Sequence, residues 1–108
     1  MTDPAGLNDV PSEARQPDGV VTRVLEICNK RGLHARASAK FVQTVEKFEA
    51  EVKVKRGCEV VGGTSIMGLM MLAAGPGTSI TVEATGKEAA EVIEALAALV
   101  SGRFTEQE

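Results

Sequence analysis

The chain has 108 residues, the length of a single compact domain. Its 44% hydrophobic and 25% charged residues are typical of a globular protein. With three Phe, no Trp or Tyr and a formal net charge of -3, it offers neither base-stacking platforms nor a general attraction to phosphate backbones. We therefore expect no nucleic-acid partner.

Residues 1–19 differ in composition from the rest of the chain. They contain three of the four prolines, and four acidic residues against one arginine. Such a segment cannot bury enough apolar surface to offset the entropy lost on ordering. We predict a flexible acidic tail over residues 1–19 and a folded domain over residues 20–108.

Hydrophobic periodicity predicts the elements of the first half of the domain. Val20–Cys28 is rich in β-branched residues and is predicted to be a strand. Apolar residues then recur every three to four positions, which predicts a helix from Ala35 to about Lys47. Ala50–Arg56 alternates between apolar and charged residues, as a half-buried strand does, and a turn leads to a short return strand, Glu59–Gly62.

The second half is predicted in the same way. Ile66–Leu72 is predicted to be a short helix capped by Ser65 or Thr64, and Ser79–Ala84 to be a fourth strand. The run Thr85-Gly86-Lys87-Glu88 fits a capping box that opens a long C-terminal helix. The order βαββαβα, with no strand apolar on both faces, predicts an α+β fold. It is an open-faced β-sandwich with a four-stranded, mostly antiparallel sheet and three helices on one face.

No membrane or secretion signal is visible. No apolar stretch approaches the roughly 20 residues that span a bilayer, and a signal peptide is not recognisable. We expect a cytoplasmic protein without membrane insertion. Cys28 and Cys58 lack CxxC spacing, and with one histidine in the chain they cannot form a zinc site. We expect both to be buried, with a disulfide bridge between them as the alternative.

The single histidine, His34, lies at a predicted helix start, where free N–H groups and the positive end of the dipole suit a phosphate. Positive charge surrounds it, supplied by Lys30, Arg31, Arg36 and Lys40. A neutral imidazole beside such cations suits a nucleophile that holds a phosphoryl group briefly and passes it on. The alternative is a capping or loop histidine without a function.

Self-sufficient catalysis is not expected. Neither a G-x-x-x-x-G-K-[ST] nor a G-x-G-x-x-G motif occurs, and no cluster of metal ligands is present, so no metal and no cofactor are expected. No acidic residue lies close in sequence to His34 to orient its ring. These absences favour a carrier over a hydrolase or a kinase.

A second candidate site begins at Ser65. This serine is either only a helix cap or also a phosphorylation site, because a helix N-terminus tolerates a phosphate. The run from Ile66 to Leu72 is more apolar than one core face requires. Exposed, flexible methionines are typical of a surface that accommodates several partners, whereas a wholly buried short helix is the alternative.

Two motifs at a fixed separation carry a family resemblance. Gly32-Leu33-His34-Ala35-Arg36 and Ser65-Ile66-Met67-Gly68-Leu69-Met70 resemble those of HPr, the histidine phosphocarrier of the bacterial phosphoenolpyruvate:sugar phosphotransferase system. The resemblance spans about residues 21–104. Asn29-Lys30, Glu83–Gly86 and Ala95–Phe104 are more similar to NPr, the nitrogen-related branch.

The resemblance implies a phosphoryl relay by a monomer. His34 would take a phosphoryl group on Nδ1 from enzyme I, which phosphoenolpyruvate charges, and deliver it to a histidine of an enzyme IIA domain. Arg36 would steady the group, and Ser65 matches the serine that an HPr kinase/phosphorylase modifies. The implied docking surface for these partners is made of Ala35, Lys40, Ile66, Met67 and Met70.

The sequence departs from the family at Ala37, where proline is usual, and in its acidic tail. Proline pre-sets the first turn of a helix, so alanine would loosen the loop without removing any chemistry. Two other functions stay open. One is a regulatory binding protein controlled through Ser65, and the other is a small acylphosphatase-like hydrolase.

Overall fold

The computed structural model describes residues 19–105. The predicted tail, apart from Gly19, and residues 106–108 lie outside the described residues. In chain order the elements are β1 (Val21–Glu26), α1 (Ala35–Val45), β2 (Glu51–Arg56), β3 (Glu59–Gly62), α2 (Ile66–Met71), β4 (Ser79–Thr85) and α3 (Ala89–Ser101), followed by a short turn, Arg103–Thr105. The predicted order βαββαβα is confirmed.

The four strands form one sheet in the order β1-β4-β2-β3, and every neighbouring pair is antiparallel. The crossover through α1 leaves a gap between β1 and β2, and β4 fills it, as in split βαβ folds. The predicted open-faced α+β architecture is therefore confirmed.

Alternation along the strands separates the two faces of the sheet. The buried side chains of the helix-covered face are Leu25, Val52, Val54, Ile80, Val82 and Ala84. The opposite face carries Val24, which is 62% exposed, and an ion pair between Lys55 and Glu83 at 2.8 Å. Since only one face is apolar throughout, the helices cover that face alone.

The helices bury the faces that periodicity predicts. Ala37, Phe41 and Val45 of α1 are buried, and α3 packs against β1 and β4. Between residues 19 and 105, no helix combines the length and the apolar character needed to cross a membrane.

The predicted capping box at the start of α3 is wrong. Thr85 is the last residue of β4, and α3 begins at Ala89 after Glu88, which forms no side-chain cap. Oε1 of Glu88 instead accepts a hydrogen bond from the backbone N–H of Glu49 at 2.7 Å. The carboxylate therefore ties the loop before β2 to the start of α3 and does not close a box within its own helix.

The predicted burial of the cysteines is also wrong, and they form no bridge, since Cys28 and Cys58 are both free and exposed. The thiol of Cys28 lies at the C-terminal end of α3, where it donates to the carbonyl of Val100 at 3.4 Å. Cys58 lies in the tight turn between β2 and β3.

Candidate functional site

His34 is the N-cap of α1, as its place in the sequence predicts. Its backbone is extended, with φ -78° and ψ -176°, and its Nδ1 accepts a hydrogen bond from the backbone N–H of Arg36 at 3.2 Å. An accepting Nδ1 carries a lone pair, so the neutral ring holds its proton on Nε2. The lone pair is therefore directed at the first turn of α1, where the free N–H groups of the helix lie.

The loop before His34 is fastened to the segment that follows α2. Leu33 donates its N–H to the carbonyl of Ala74 at 3.0 Å, and His34 donates to the carbonyl of Gly32 at 2.9 Å. The buried side chain of Asn29 donates to the same Gly32 carbonyl at 2.9 Å. Gly32 has φ +65°, which glycine adopts readily. These hydrogen bonds fix the backbone of the loop and thereby the position of His34.

A shallow cleft of about 210 Å³ lies beside His34. Its lining residues are Arg31, Leu33, His34, Ala73, Ala74 and Gly75. Ala73 has φ +53°, and this left-handed residue turns the chain after α2 into the far wall of the cleft. Strained alanines of this kind persist where the surrounding structure holds them. The histidine thus stands at the edge of an open space bounded by residues of two loops.

Positive charge at the site is available to an anion. Arg31 and Arg36 are exposed, and within residues 19–105 neither guanidinium forms a hydrogen bond or an ion pair. Across the same range, no three His, Cys, Asp or Glu side chains come together as a group that could hold a metal ion. A nucleophilic nitrogen, free backbone N–H groups and two guanidinium groups suit the binding of a phosphoryl group.

Lys40 differs from these arginines. Its ammonium donates to the carbonyl of Phe104 and to Oγ1 of Thr105, both at 2.6 Å. This positive charge is therefore directed at the C-terminal turn, which sequence reasoning did not foresee. Its membership of the docking surface stays a prediction.

Ser65 is the N-cap of α2, which confirms one of the two predicted caps. Its side chain is exposed, and its Oγ accepts a hydrogen bond from the backbone N–H of Gly68 at 2.9 Å. The helix that it opens packs against α1, whose N-cap is His34. Ser65 and His34 therefore begin two helices that contact each other.

The short helix α2 exposes most of its apolar residues. Leu69 is fully buried, whereas Met67 and Met71 are 71% and 70% exposed. Ile66 and Met70 are also exposed, so that the pairs 66/70 and 67/71, each four residues apart, form one apolar patch. The prediction of exposed methionines is confirmed, but Met71 was missed although it belongs to the same methionine-rich run.

Comparison with known proteins extends over most of the described chain. The family model for the PTS HPr component phosphorylation site matches residues 21–102. The phosphocarrier protein HPr of Neisseria meningitidis is 54% identical over 84 residues, which cover 78% of this chain and 94% of that protein. The phosphocarrier protein NPr of Shewanella violacea is 39% identical over 84 residues, covering 78% of this chain and 92% of that protein.

Solved structures agree with these relatives. HPr-C-His of Thermoanaerobacter tengcongensis superposes with a TM-score of 0.76 at 39% identity, covering 81% of this chain and 98% of that one. The phosphocarrier protein HPr of Bacillus anthracis gives a TM-score of 0.72 at 41% identity, covering 75% of this chain and 96% of that one. The matched region includes both helix-capping side chains, His34 and Ser65.

Proposed function

The chain belongs to the HPr family and is a phosphocarrier of the phosphotransferase system, and we propose that it relays a phosphoryl group from enzyme I to a histidine of an enzyme IIA domain through His34. The observation that carries the proposal is the hydrogen bond from Arg36 N–H to Nδ1 of His34 at 3.2 Å. A nitrogen that accepts this bond has the lone pair that can attack phosphorus. The relatives are carriers rather than enzymes, which sets the hydrolase alternative aside.

The transfer can be written with every bond balanced. The hydrogen bond from Arg36 N–H to Nδ1 of His34 breaks, and the freed lone pair attacks phosphorus. The bond between phosphorus and the donor atom of enzyme I breaks, leaving its electron pair on the donor. The ring keeps the proton on Nε2. The phosphoryl oxygens then lie at the N-terminus of α1, where backbone N–H groups and the Arg36 guanidinium stabilise their charge. Attack by a histidine of an enzyme IIA domain removes the group by the same step.

Enzyme I and the enzyme IIA domain would use one docking surface in turn. The predicted docking surface consists of Ala35, Lys40, Ile66, Met67 and Met70, and the exposure of Met71 adds it to the set. Unbranched methionine side chains adapt to differently shaped partners. Arg36 is exposed on α1, the helix that packs against α2, and its positive charge favours acidic partner surfaces and speeds their association.

Regulation at Ser65 would act on the same surface. A phosphate on its exposed Oγ would accept from the first N–H groups of α2 and would be electrostatically favoured there. The added negative charge would stand beside Ile66 and Met67 and would repel an acidic partner. An HPr kinase/phosphorylase is the enzyme that we propose for this modification.

The decisive test is phosphorylation by phosphoenolpyruvate and purified enzyme I, with the intact mass as the readout. We expect the gain of one acid-labile phosphate, lost in His34→Ala and retained in the control Ser65→Ala. Trials with enzyme I of the sugar branch and of the nitrogen-related branch identify the branch from the faster reaction. No gain with either enzyme, on a folded protein, would contradict the relay and favour the regulatory binding role through Ser65.

A further inference from the structure

Arg31 is one of the residues that line the cleft beside His34. Arg36, which the family resemblance assigns to the phosphoryl group, follows His34 into the first turn of α1 and does not line this cleft. The two arginines therefore belong to different parts of the site. One stands on the helix and the other in the loop.

The backbone holds Arg31 at the rim of the cleft. Gly32, the next residue, donates its N–H to the carbonyl of Asn29 at 3.2 Å, which closes a tight turn around Arg31. Leu33 is bonded to Ala74 across the cleft at 3.0 Å. Because both bonds fix the chain between Arg31 and His34, the two side chains stay beside the same open space.

Within residues 19–105, no side chain neutralises the charge of Arg31. Its guanidinium forms no ion pair or hydrogen bond anywhere in the described range, and no acidic residue occurs between Glu26 and Glu46. Lys40, by contrast, donates to the C-terminal turn through its ammonium. A guanidinium at the edge of an open cleft is well suited to bind two oxygens of one phosphoryl group.

We propose that Arg31 is a second phosphoryl-binding residue of this site, donating to the oxygens of phospho-His34 from the cleft side while Arg36 and the N–H groups of α1 hold the group from the helix side. The proposal rests on the proposed function, because it requires a phosphoryl group on His34. Its consequence is that Arg31 stabilises the dianionic form of the group, before any partner is bound.

The test is a ³¹P NMR titration of phospho-His34 in the isolated full chain, after phosphorylation by enzyme I. In Arg31→Gln we expect the pKa that the titration reports for phospho-His34 to rise by about half a unit or more, because a cation that opposes protonation of the phosphorylated side chain is lost. Arg31→Lys should restore part of this change, since it keeps the charge but not the forked pair of donors. The control Arg23→Gln should titrate like the wild type, because Glu94 holds that guanidinium at 2.7 Å.

The possible failures are distinguishable. If the wild type is phosphorylated but the phosphoryl group of Arg31→Gln titrates like that of the wild type, the role of Arg31 is wrong and the relay stands. If only the KM for enzyme I or enzyme IIA changes, Arg31 contacts the partner protein, and the proposal is again wrong. If the wild type takes up no phosphate, the relay itself fails and the role of Arg31 fails with it.

Discussion

The α-carbon of Gly32 lies so close to the carbonyl of Ala74 that a side chain on Gly32 would overlap that oxygen. A β carbon built there would also stand 2.9 Å from Cα of Gly75. The loop before the histidine and the segment after α2 thus meet backbone to backbone. This contact places His34 beside its cleft.

Gly32→Ala is expected to displace this loop and to destabilise the protein. The left-handed conformation and the overlap together should lower the free energy of unfolding by about 2 kcal/mol or more. Gly57→Ala is the matched control, since Gly57 has a similar φ of +61° but no atom within 4 Å of the added carbon. Urea unfolding measures both variants, and phosphorylation by enzyme I should slow in Gly32→Ala alone. Equal losses of stability would show that the contact with Ala74 is unimportant.

Local patterns predicted the elements, because alternation and three-to-four spacing depend only on neighbouring residues. The N-cap positions of His34 and Ser65 were predictable for the same reason. Contacts between distant residues have no such signal. The bond from Lys40 to Phe104 and that from Glu49 to Glu88 join segments that meet only after folding. The bond from Glu49 to Glu88 explains why the capping box predicted from Thr85 to Glu88 does not form. The Glu88 carboxylate accepts a hydrogen bond from the loop before β2 instead.

The site was predicted to a similar extent. Spacing alone placed the cations near His34 in sequence, but it did not show which would remain available. The fold engages the ammonium of Lys40 and places Arg31 among the residues that line the cleft. The cleft has walls from two loops separated by α1, β2, β3 and α2. A cleft formed by two loops that are distant in sequence cannot be predicted from a local sequence pattern.

His34 has two roles that substitution should separate. It caps α1 through Nδ1, and we propose that the same nitrogen accepts the phosphoryl group. His34→Ala should lower the free energy of unfolding by about 1 kcal/mol, because the N–H of Arg36 loses its acceptor. His34→Asn supplies an amide oxygen as a cap and should lose less. Neither variant should gain phosphate from enzyme I.

Urea unfolding and intact mass together check this separation. If His34→Asn loses as much stability as His34→Ala, the ring does not act as a cap in solution. If either variant gains an acid-labile phosphate, the acceptor is another residue.

Lys40 is expected to stabilise the fold as well as to contact partners. Its ammonium bonds to Phe104 and Thr105, and Arg103, Phe104 and Thr105 all have left-handed φ values between 55° and 59°. Such a turn persists only where contacts hold it, and here the Phe104 ring is fully buried beneath it. Lys40→Met should therefore lower the free energy of unfolding by about 1 kcal/mol.

The matched control for Lys40→Met is Lys47→Met, which alters an exposed lysine just beyond the end of α1. Chemical denaturation should show a loss for Lys40→Met and almost none for the control. If Lys40→Met is as stable as the control but is phosphorylated more slowly by enzyme I, Lys40 acts in docking and does not stabilise the fold.

Two substitutions of Ser65 should affect stability and phosphoryl transfer differently: one should lower stability, and the other should slow transfer. Ser65→Ala removes the acceptor for Gly68 N–H and should lower the free energy of unfolding by about 1 kcal/mol, with little effect on transfer. Ser65→Asp keeps an oxygen cap, and its charge is favoured at a helix N-terminus, so its stability should stay near that of the wild type. Its carboxylate stands beside Met67, however, and should raise the KM for phosphorylation by enzyme I several-fold, more strongly at low salt. Urea unfolding and initial rates at two salt concentrations measure both effects. A slower transfer in Ser65→Ala than in Ser65→Asp would mean that the cap itself, and not the charge beside the methionines, controls docking.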